Sequence, residues 1–421
     1  MRAERPTASG TVHWIGTGLS TGRTGLGLLC DRAERVAVWD RTAERARLRL
    51  GALGLADRAE SRSLDRGALE AEVRPGDVVV SMLPATEHPA LLRLALSRQA
   101  HFACSSYTSA ELEEEANAAT ADGLVVLTEA GLDPGIDHLM AHQLIERARH
   151  DIGDTAATVD FTSYCGGVPA RPNDFRYQFS WSPYGVLAAL RSPARYIEGG
   201  EIRTAERPWE ATRPLVLGGE AFEVYPNRDS LPFVAQYAVP QGWRLATFVR
   251  GTLRNEGWYT AWTEVFETVR AGDEARIRAL AAELADRYPT TEADRDRVVL
   301  TVELTVRDSA FEDSAGEESG GATLWREALL LDVSGDDAES AMARCVSLPL
   351  VRGVSAILDG ALPAGVNRAA ETADEAARWI DFLREHGLRI TSHRPPDPPA
   401  DPPDPLIEHG EPPKGEARHG A

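Results

Sequence analysis

Lysine is almost missing from this chain. Lys414 is the only one in 421 residues, so no lysine in the body of the protein is available as a Schiff-base amine or a general base. Cysteine is also scarce: Cys30, Cys104, Cys165 and Cys345 show no CxxC pair or other metal-ligand spacing, which argues against a disulfide framework and leaves no metal site to expect. Basic charge is outweighed, with 45 Lys and Arg against 65 Asp and Glu and a net charge of −20. A polyanion partner needs basic surface, so no nucleic acid is expected. No apolar run approaches the ~18–20 residues of a membrane span, and Met1 to Gly10 lacks the apolar core of a secretory signal. The expectation is a cytoplasmic protein with reduced thiols and no membrane association.

What the chain does have is alternation. Apolar strands at 12–16, 35–39, 77–83, 101–105 and 124–128 are separated by helical patterns, the rhythm of a doubly wound parallel sheet. Beyond Leu139 the texture changes to a mixture in which 155–164, 215–225, 297–306 and 325–333 read as strands and 275–287 as a helix. The last two strands flank an acidic, Gly/Ser-rich stretch, Asp308 to Gly321, expected to be a long flexible loop. The predicted fold class is α/β: a disordered N-terminus (1–10), a Rossmann-like unit (11–130) and a mixed α+β substrate and dimerisation domain (131–335). Helices at 338–390 are expected to pack back on the junction, and a Pro-rich acidic tail (393–421) to be disordered.

Gly16-Thr17-Gly18-Leu19-Ser20-Thr21-Gly22 follows the first strand and opens a helix. In a dinucleotide site the first glycine permits the tight turn, the second lets backbone approach a pyrophosphate, and the third relieves helix-to-strand packing. Gly16, Gly18, Leu19 and Gly22 are therefore candidate cofactor contacts. Asp40 ends the second strand, where an acid would bind a ribose diol and repel a 2′-phosphate; Arg41-Thr42 follows, and that arginine would pair with the same phosphate. The acid points to NAD and the Arg-Thr pair to NADP, with the balance toward NADP.

Two further runs carry chemistry: Gly131-Leu132-Asp133-Pro134-Gly135-Ile136-Asp137-His138 and Ser163-Tyr164-Cys165-Gly166-Gly167. Asp-Pro-Gly before an apolar pattern has the grammar of a helix start, with Asp133 near the cap and Pro134 in the first turn. Asp137 and His138 read as first-turn structure more than as catalytic groups. With Ser81 to His88, Ser105-Ser106-Tyr107, Phe179 to Ser182, Pro226 to Ser230 and Arg250 to Arg254, these runs resemble the saccharopine dehydrogenase family, and within it the glutamate-forming saccharopine reductase branch.

The resemblance implies an NAD(P)-dependent oxidoreductase on a C–N bond, interconverting saccharopine with glutamate and 2-aminoadipate 6-semialdehyde, and a homodimer. It carries Leu83, Pro84 and Ser105 to the cofactor side, and Asp133, Tyr107 and Cys165 to catalysis. Asp133 would handle protons of the substrate amine or of water, tuned by the other two. Saccharopine bears three carboxylates, which an acidic protein must meet with local arginines. Arg228, Arg250 and Arg254 are the candidates, with Asn227 and Trp181 beside them. A helical insertion that eukaryotic members carry after the Arg-Gly-Thr-Leu-Arg segment is largely missing. The alternatives are a relative acting on another carboxylated secondary amine, such as carboxynorspermidine, and a nucleotide-binding protein without turnover.

Overall fold

The computed structural model describes residues 7–153, 155–180, 182–288, 295–309 and 321–395. Trp181, most of the Asp308–Gly321 loop, residues 1–6 of the N-terminus and residues 396–421 of the tail lie outside them.

The first half builds a parallel sheet from β1 (Thr11–Ile15), β2 (Arg35–Asp40), β3 (Glu60–Ser63), β4 (Val78–Ser81), β5 (His101–Cys104) and β6 (Val125–Leu127). Their order is 3-2-1-4-5-6, and a seventh strand, Gly365–Asn367 from near the far end of the chain, extends the sheet parallel to β6. Val12, Trp14, Val36, Val38, Val78 and Val80 point into one buried layer, and Ile15, Ala37, Trp39 and Val79 into another. Both faces are thus covered, which is why these strands read as continuous apolar runs.

The second sheet is mixed. It comprises β7 (Ala157–Pro169), β8 (Ala194–Glu198), β9 (Glu201–Ala205), β10 (Arg213–Leu217), β11 (Glu220–Pro226), β12 (Trp243–Asn255), β13 (Asp296–Asp308) and β14 (Thr323–Ser334). The Gly365–Asn367 strand is β15, and β16 (Ile390–His393) closes the edge of this second sheet against β14. Along the main path the order is 10-11-12-7-13-14-16; β12 runs parallel to β7, and the other neighbouring pairs are antiparallel. Residues 215–225 form two strands where the sequence suggested one, because Gly218-Gly219 takes left-handed φ values of 58° and 88° and turns the chain back on itself. The predicted tail boundary also shifts, since His393 still belongs to β16.

Helix Ala341–Leu358 joins the halves. By length and composition it is apolar enough to cross a membrane, yet 72% of it is buried inside the fold, against helix Arg23–Arg32 and the first sheet. A side chain at Gly22 would fall 2.2 Å from a Glu339 oxygen, and one at Gly25 would fall 2.5 Å from Ser347 Oγ. The third glycine of the loop therefore serves packing between two helices, not the helix-to-strand packing expected from sequence. Helix Ile136–Ile152 packs under β13 and β14 and against helix Ala373–Glu385, and its first turn delivers the central charged residues to the domain junction.

Candidate active site at the domain junction

The glycine loop fits a dinucleotide. Gly16 has φ +101°, and a Cβ there would meet Leu83 at 3.0 Å and the Met82 carbonyl oxygen at 3.1 Å, so only glycine fits the turn. Nothing lies within 4 Å of the Cβ position of Gly18, where a pyrophosphate would approach. Helix Arg23–Arg32 begins with no side-chain cap on Gly22 and no acid in its own first turn, and the Glu339 carboxylate, just before helix Ala341–Leu358, accepts its Thr24 amide at 3.1 Å. Leu19 and Pro84 are exposed beside this loop, and Leu83 and Ser105 are half-buried.

Asp40 is turned inward. It accepts hydrogen bonds from the Thr17 hydroxyl and the Arg41 amide (2.6 Å), and Arg45 lies 3.2 Å away. Burial raises the Asp40 carboxyl, but these donors outweigh it and hold the group below its ordinary range. Arg41 is exposed, and Thr42 caps the next helix by accepting from the Arg45 amide (3.1 Å).

The second centre is assembled from five segments. Tyr107 follows β5, Asp133 precedes helix Ile136–Ile152, Asp137 and His138 lie in its first turn, Phe233 and Tyr237 come from a short helical segment, and Arg250 from β12. Tyr107 donates its hydroxyl proton to Asp133 Oδ1. The same oxygen accepts from Arg250 Nη2 at 2.8 Å, and that nitrogen also bonds Asp137 Oδ2 and lies 3.1 Å from the Tyr107 oxygen. Asp133 Oδ2 is left without a protein donor among the described residues. The Arg250 guanidinium lies 3.8 Å above the Phe233 ring, which fixes its plane. Behind it, His138 spans Glu129 (3.2 Å) and the Tyr237 hydroxyl (2.9 Å), and Gln236 and Arg368 complete the Glu129 contacts.

Asp133 is not the helix cap that the sequence suggested, nor does Pro134 enter the first turn. The helix starts at Ile136 with Gly135 as its cap residue. Residues 131–135 instead close into a tight loop: Gly131 N–H donates to the Pro134 carbonyl (2.9 Å), and Ile136 N–H to the Gly131 carbonyl (3.0 Å). A Cβ on Gly135 would lie 2.0 Å from the Gly131 oxygen, so the two glycines let the loop fold on itself and hold Asp133 toward Tyr107. Capping falls to Asp137, whose Oδ1 accepts from the Gly135 amide at 2.7 Å.

The arginines separate into two kinds. Arg250 is 3% exposed and neutralised within the protein by Asp133 and Asp137. Arg228 is exposed, sits 4.9 Å over the Tyr107 ring and has no carboxylate partner among the described residues. Arg254 is buried in an aromatic box of Tyr177, Tyr225 and Trp258, bonds the Tyr225 hydroxyl at 3.2 Å, and likewise lacks an acid partner. Arg250, Thr252 and Arg254 alternate along β12, and the pairing of Thr252 with Cys165 on parallel β7 brings that thiol to the same sheet face. Burial, with the Asp133 and Asp137 charges, pushes the Cys165 thiol well up, so it stays protonated. Asn227 donates its backbone N–H to the Arg250 carbonyl at 2.9 Å, tying the Arg228 loop to β12.

Sequence reasoning did not single out Glu129, Phe233, Tyr237 or Arg368. Glu129 had one available signal: it is an acid directly before the Ala130-Gly131 turn, and it adopts φ +54°. Burial raises its carboxyl, yet His138, Arg368 and the Thr108 amide bring it down to about 2. His88, bridging Ser81 (2.8 Å) and Ser106 (2.9 Å), is lowered to about 4 by burial and so braces the β4 and β5 loops as a neutral ring.

Comparison with known proteins agrees in both halves. Residues 12–129 match the family profile described as the saccharopine dehydrogenase NADP binding domain, and residues 131–388 the saccharopine dehydrogenase C-terminal domain. An L-glutamate-forming, NADP(+) saccharopine dehydrogenase of Pyricularia oryzae is 37% identical over 257 residues, covering 60% of this chain and 56% of that protein. Its Saccharomyces cerevisiae counterpart is 40% identical over 200 residues, covering 46% of this chain and 44% of the relative. The chain thus spans about half the length of the curated relatives it matches. The apo structure of the yeast L-Glu-forming enzyme superposes with a TM-score of 0.72 at 25% identity, over 91% of this chain and 99% of that one. A Legionella pneumophila homospermidine synthase shares the fold, with a TM-score of 0.61 at 10% identity over 93% of this chain and 92% of the other. With both domains matched in order and the Asp133 and Cys165 runs inside the second, the chain belongs to the saccharopine dehydrogenase family.

Proposed function

We propose that this protein is an NADP-dependent oxidoreductase interconverting saccharopine with L-glutamate and 2-aminoadipate 6-semialdehyde. The observation that carries the reading is the junction itself. A partly exposed carboxyl, Asp133, has one oxygen fixed by Tyr107 and Arg250 and the other, among the described residues, without a donor, and two arginines with no acid partner among those residues, Arg228 and Arg254, stand in the same domain. NADP, when bound along Gly16–Gly22, supplies the hydride acceptor. The protein's part is to hold the substrate by its carboxylates and to move protons. Arg228 and Arg254 are placed for carboxylates, since a guanidinium fork matches that group. Asp133 takes a proton from the secondary ammonium and passes it to solvent. After the hydride has left the carbon, the carboxylate takes a proton from the water that adds to the C=N carbon and returns it to the nitrogen that leaves as the C–N bond breaks. Tyr107 and the Arg250 charge hold it in place. Cys165 is a neutral wall group that limits water on the sheet side.

Preference for NADP draws support from the inward Asp40 and the outward Arg41. A cytoplasmic homodimer belongs to the same reading. The free thiols support the compartment. The half-buried β7 face carrying Thr158, Asp160, Thr162 and Tyr164 supports the pairing. The test is the absorbance of reduced nicotinamide, with saccharopine and with carboxynorspermidine, each offered NADP and NAD. Turnover of saccharopine with NADP supports the proposal. Turnover of carboxynorspermidine alone would replace the substrate, and binding of cofactor without turnover of either would make this a non-catalytic relative.

A further inference from the structure

Two carboxylates share one guanidinium nitrogen at the domain junction, and they do so unequally. Asp137 Oδ2 and Asp133 Oδ1 both meet Arg250 Nη2. The Asp137 side chain is fully buried, accepts the Gly135 amide at 2.7 Å, and lies 3.4 Å from His138 Nδ1 and 3.5 Å from the Tyr237 hydroxyl. Asp133 keeps 15% of its side-chain surface and has one oxygen without a protein donor. A single cation neutralises one anion, so the second carboxyl on it faces a net charge near zero plus a close negative neighbour.

We propose that Asp137 is a positioning residue that takes the Arg250 charge for itself, leaving Asp133, the second carboxyl on the same nitrogen, as the group that exchanges protons at the substrate. The inference rests on the reading of Asp133 as the proton carrier and adds what sets its strength. The groups packed around the pair divide between the two carboxyls, apart from Arg250, which meets both, and His138, which also acts on Asp133 from farther off. On the Asp137 side stand Arg250 from β12, His138 from its own helix and the Tyr237 hydroxyl; Glu129, held by Arg368, fixes the far edge of His138. On the Asp133 side stand Tyr107 from the β5 loop, Cys165 from β7, and Arg228, which lies over the Tyr107 ring. Burial raises both carboxyls. For Asp137 the His138 and Arg250 charges and the donors outweigh it and hold the group low; for Asp133 the Asp137 charge adds to burial and keeps it above the ordinary carboxylate range. Such a separation of two neighbouring carboxyls assigns one to structure and one to proton transfer.

The division can be read without substrate, by carboxyl NMR titration of the whole protein with ¹³C-labelled aspartate, signals being assigned by their loss in Asp133→Asn and Asp137→Asn. The Asp133 signal should titrate above that of Asp137. In Asp137→Asn, where Asp133 becomes the sole partner of Arg250, its midpoint should fall by about 1 pH unit or more. The acid limb of kcat/KM for saccharopine oxidation should move the same way, to lower pH, because Asp133 then loses its proton at a lower pH, and Asp137→Glu should return the limb toward wild type. An Asp137 midpoint above that of Asp133, or an unmoved Asp133 midpoint with activity lost evenly at every pH, would overturn the proposal. Should Asp137→Asn not fold, the wild-type titration still decides: an Asp133 midpoint at or below about 3.9 refutes it. A protein that passes the titration yet leaves saccharopine untouched would refute the proposed activity and uphold the division of charge.

Discussion

Around Gly18 the first sheet leaves open space, and the Thr17 hydroxyl beside it turns to Asp40, which Arg45 also approaches. At the Asp133 junction Tyr107, Asp133, Asp137, Phe233 and Arg250 are drawn from distant segments and packed until Arg250 is 3% exposed. The first site is a cradle, whose backbone is shaped by the Gly16 turn and leaves room at Gly18 for a ligand to approach. The second is already complete as a charge network, from which one Asp133 oxygen and the exposed Arg228 face outward while Arg254 stays buried among aromatic rings. Function therefore divides between a site that gains its electrostatics from a cofactor and one that holds them in advance.

Removing the shared cation should break that contrast most severely. Arg250→Ala takes the guanidinium from buried Asp137 and leaves it only His138 at 3.4 Å, and the expected loss is about 3–5 kcal/mol of unfolding free energy, measurable by urea denaturation. A loss under about 1 kcal/mol would mean that the network holds little of the junction together. The exposed Arg228 should behave differently. Arg228→Ala removes a guanidinium with no acid partner, so stability should stay level while the saccharopine KM rises about tenfold or more. An unchanged KM would remove Arg228 from the carboxylate site. The cradle should be the mildest and most selective. Arg41→Ala should weaken NADP by roughly 5- to 20-fold and NAD by less than about twofold, as read by calorimetry. Equal weakening of both would show that Arg41 does not read the 2′-phosphate.

The same contrast explains what the sequence made legible. β1, β2, β4, β5 and β6 are apolar on both faces, and the glycine loop lies within one turn, so both could be read locally. β3 was missed because Glu60-Ser-Arg-Ser63 is a polar edge strand with no apolar pattern. β15 was missed because three residues, Gly365–Asn367, gain their meaning only by pairing with β6 from far along the chain. Tyr107, Asp133 and Cys165 could be named from their motifs, but sequence alone could not show that Arg250 is already neutralised while Arg228 and Arg254 are not. Nor could it show that Asp133 stands at the tip of a closed loop and that Asp137 takes over the helix start. Those facts depend on which strand faces which helix, and that is fixed by long-range packing.

The central claim is that cofactor binding and proton handling are separate structures meeting at one carboxyl, and Asp133→Asn tests it most directly. With NADP affinity by calorimetry and saccharopine turnover measured on the same preparation, turnover should fall about 10²–10⁴-fold while the NADP Kd stays within roughly threefold. Turnover equal to wild type, or a parallel loss of NADP binding, would contradict the account.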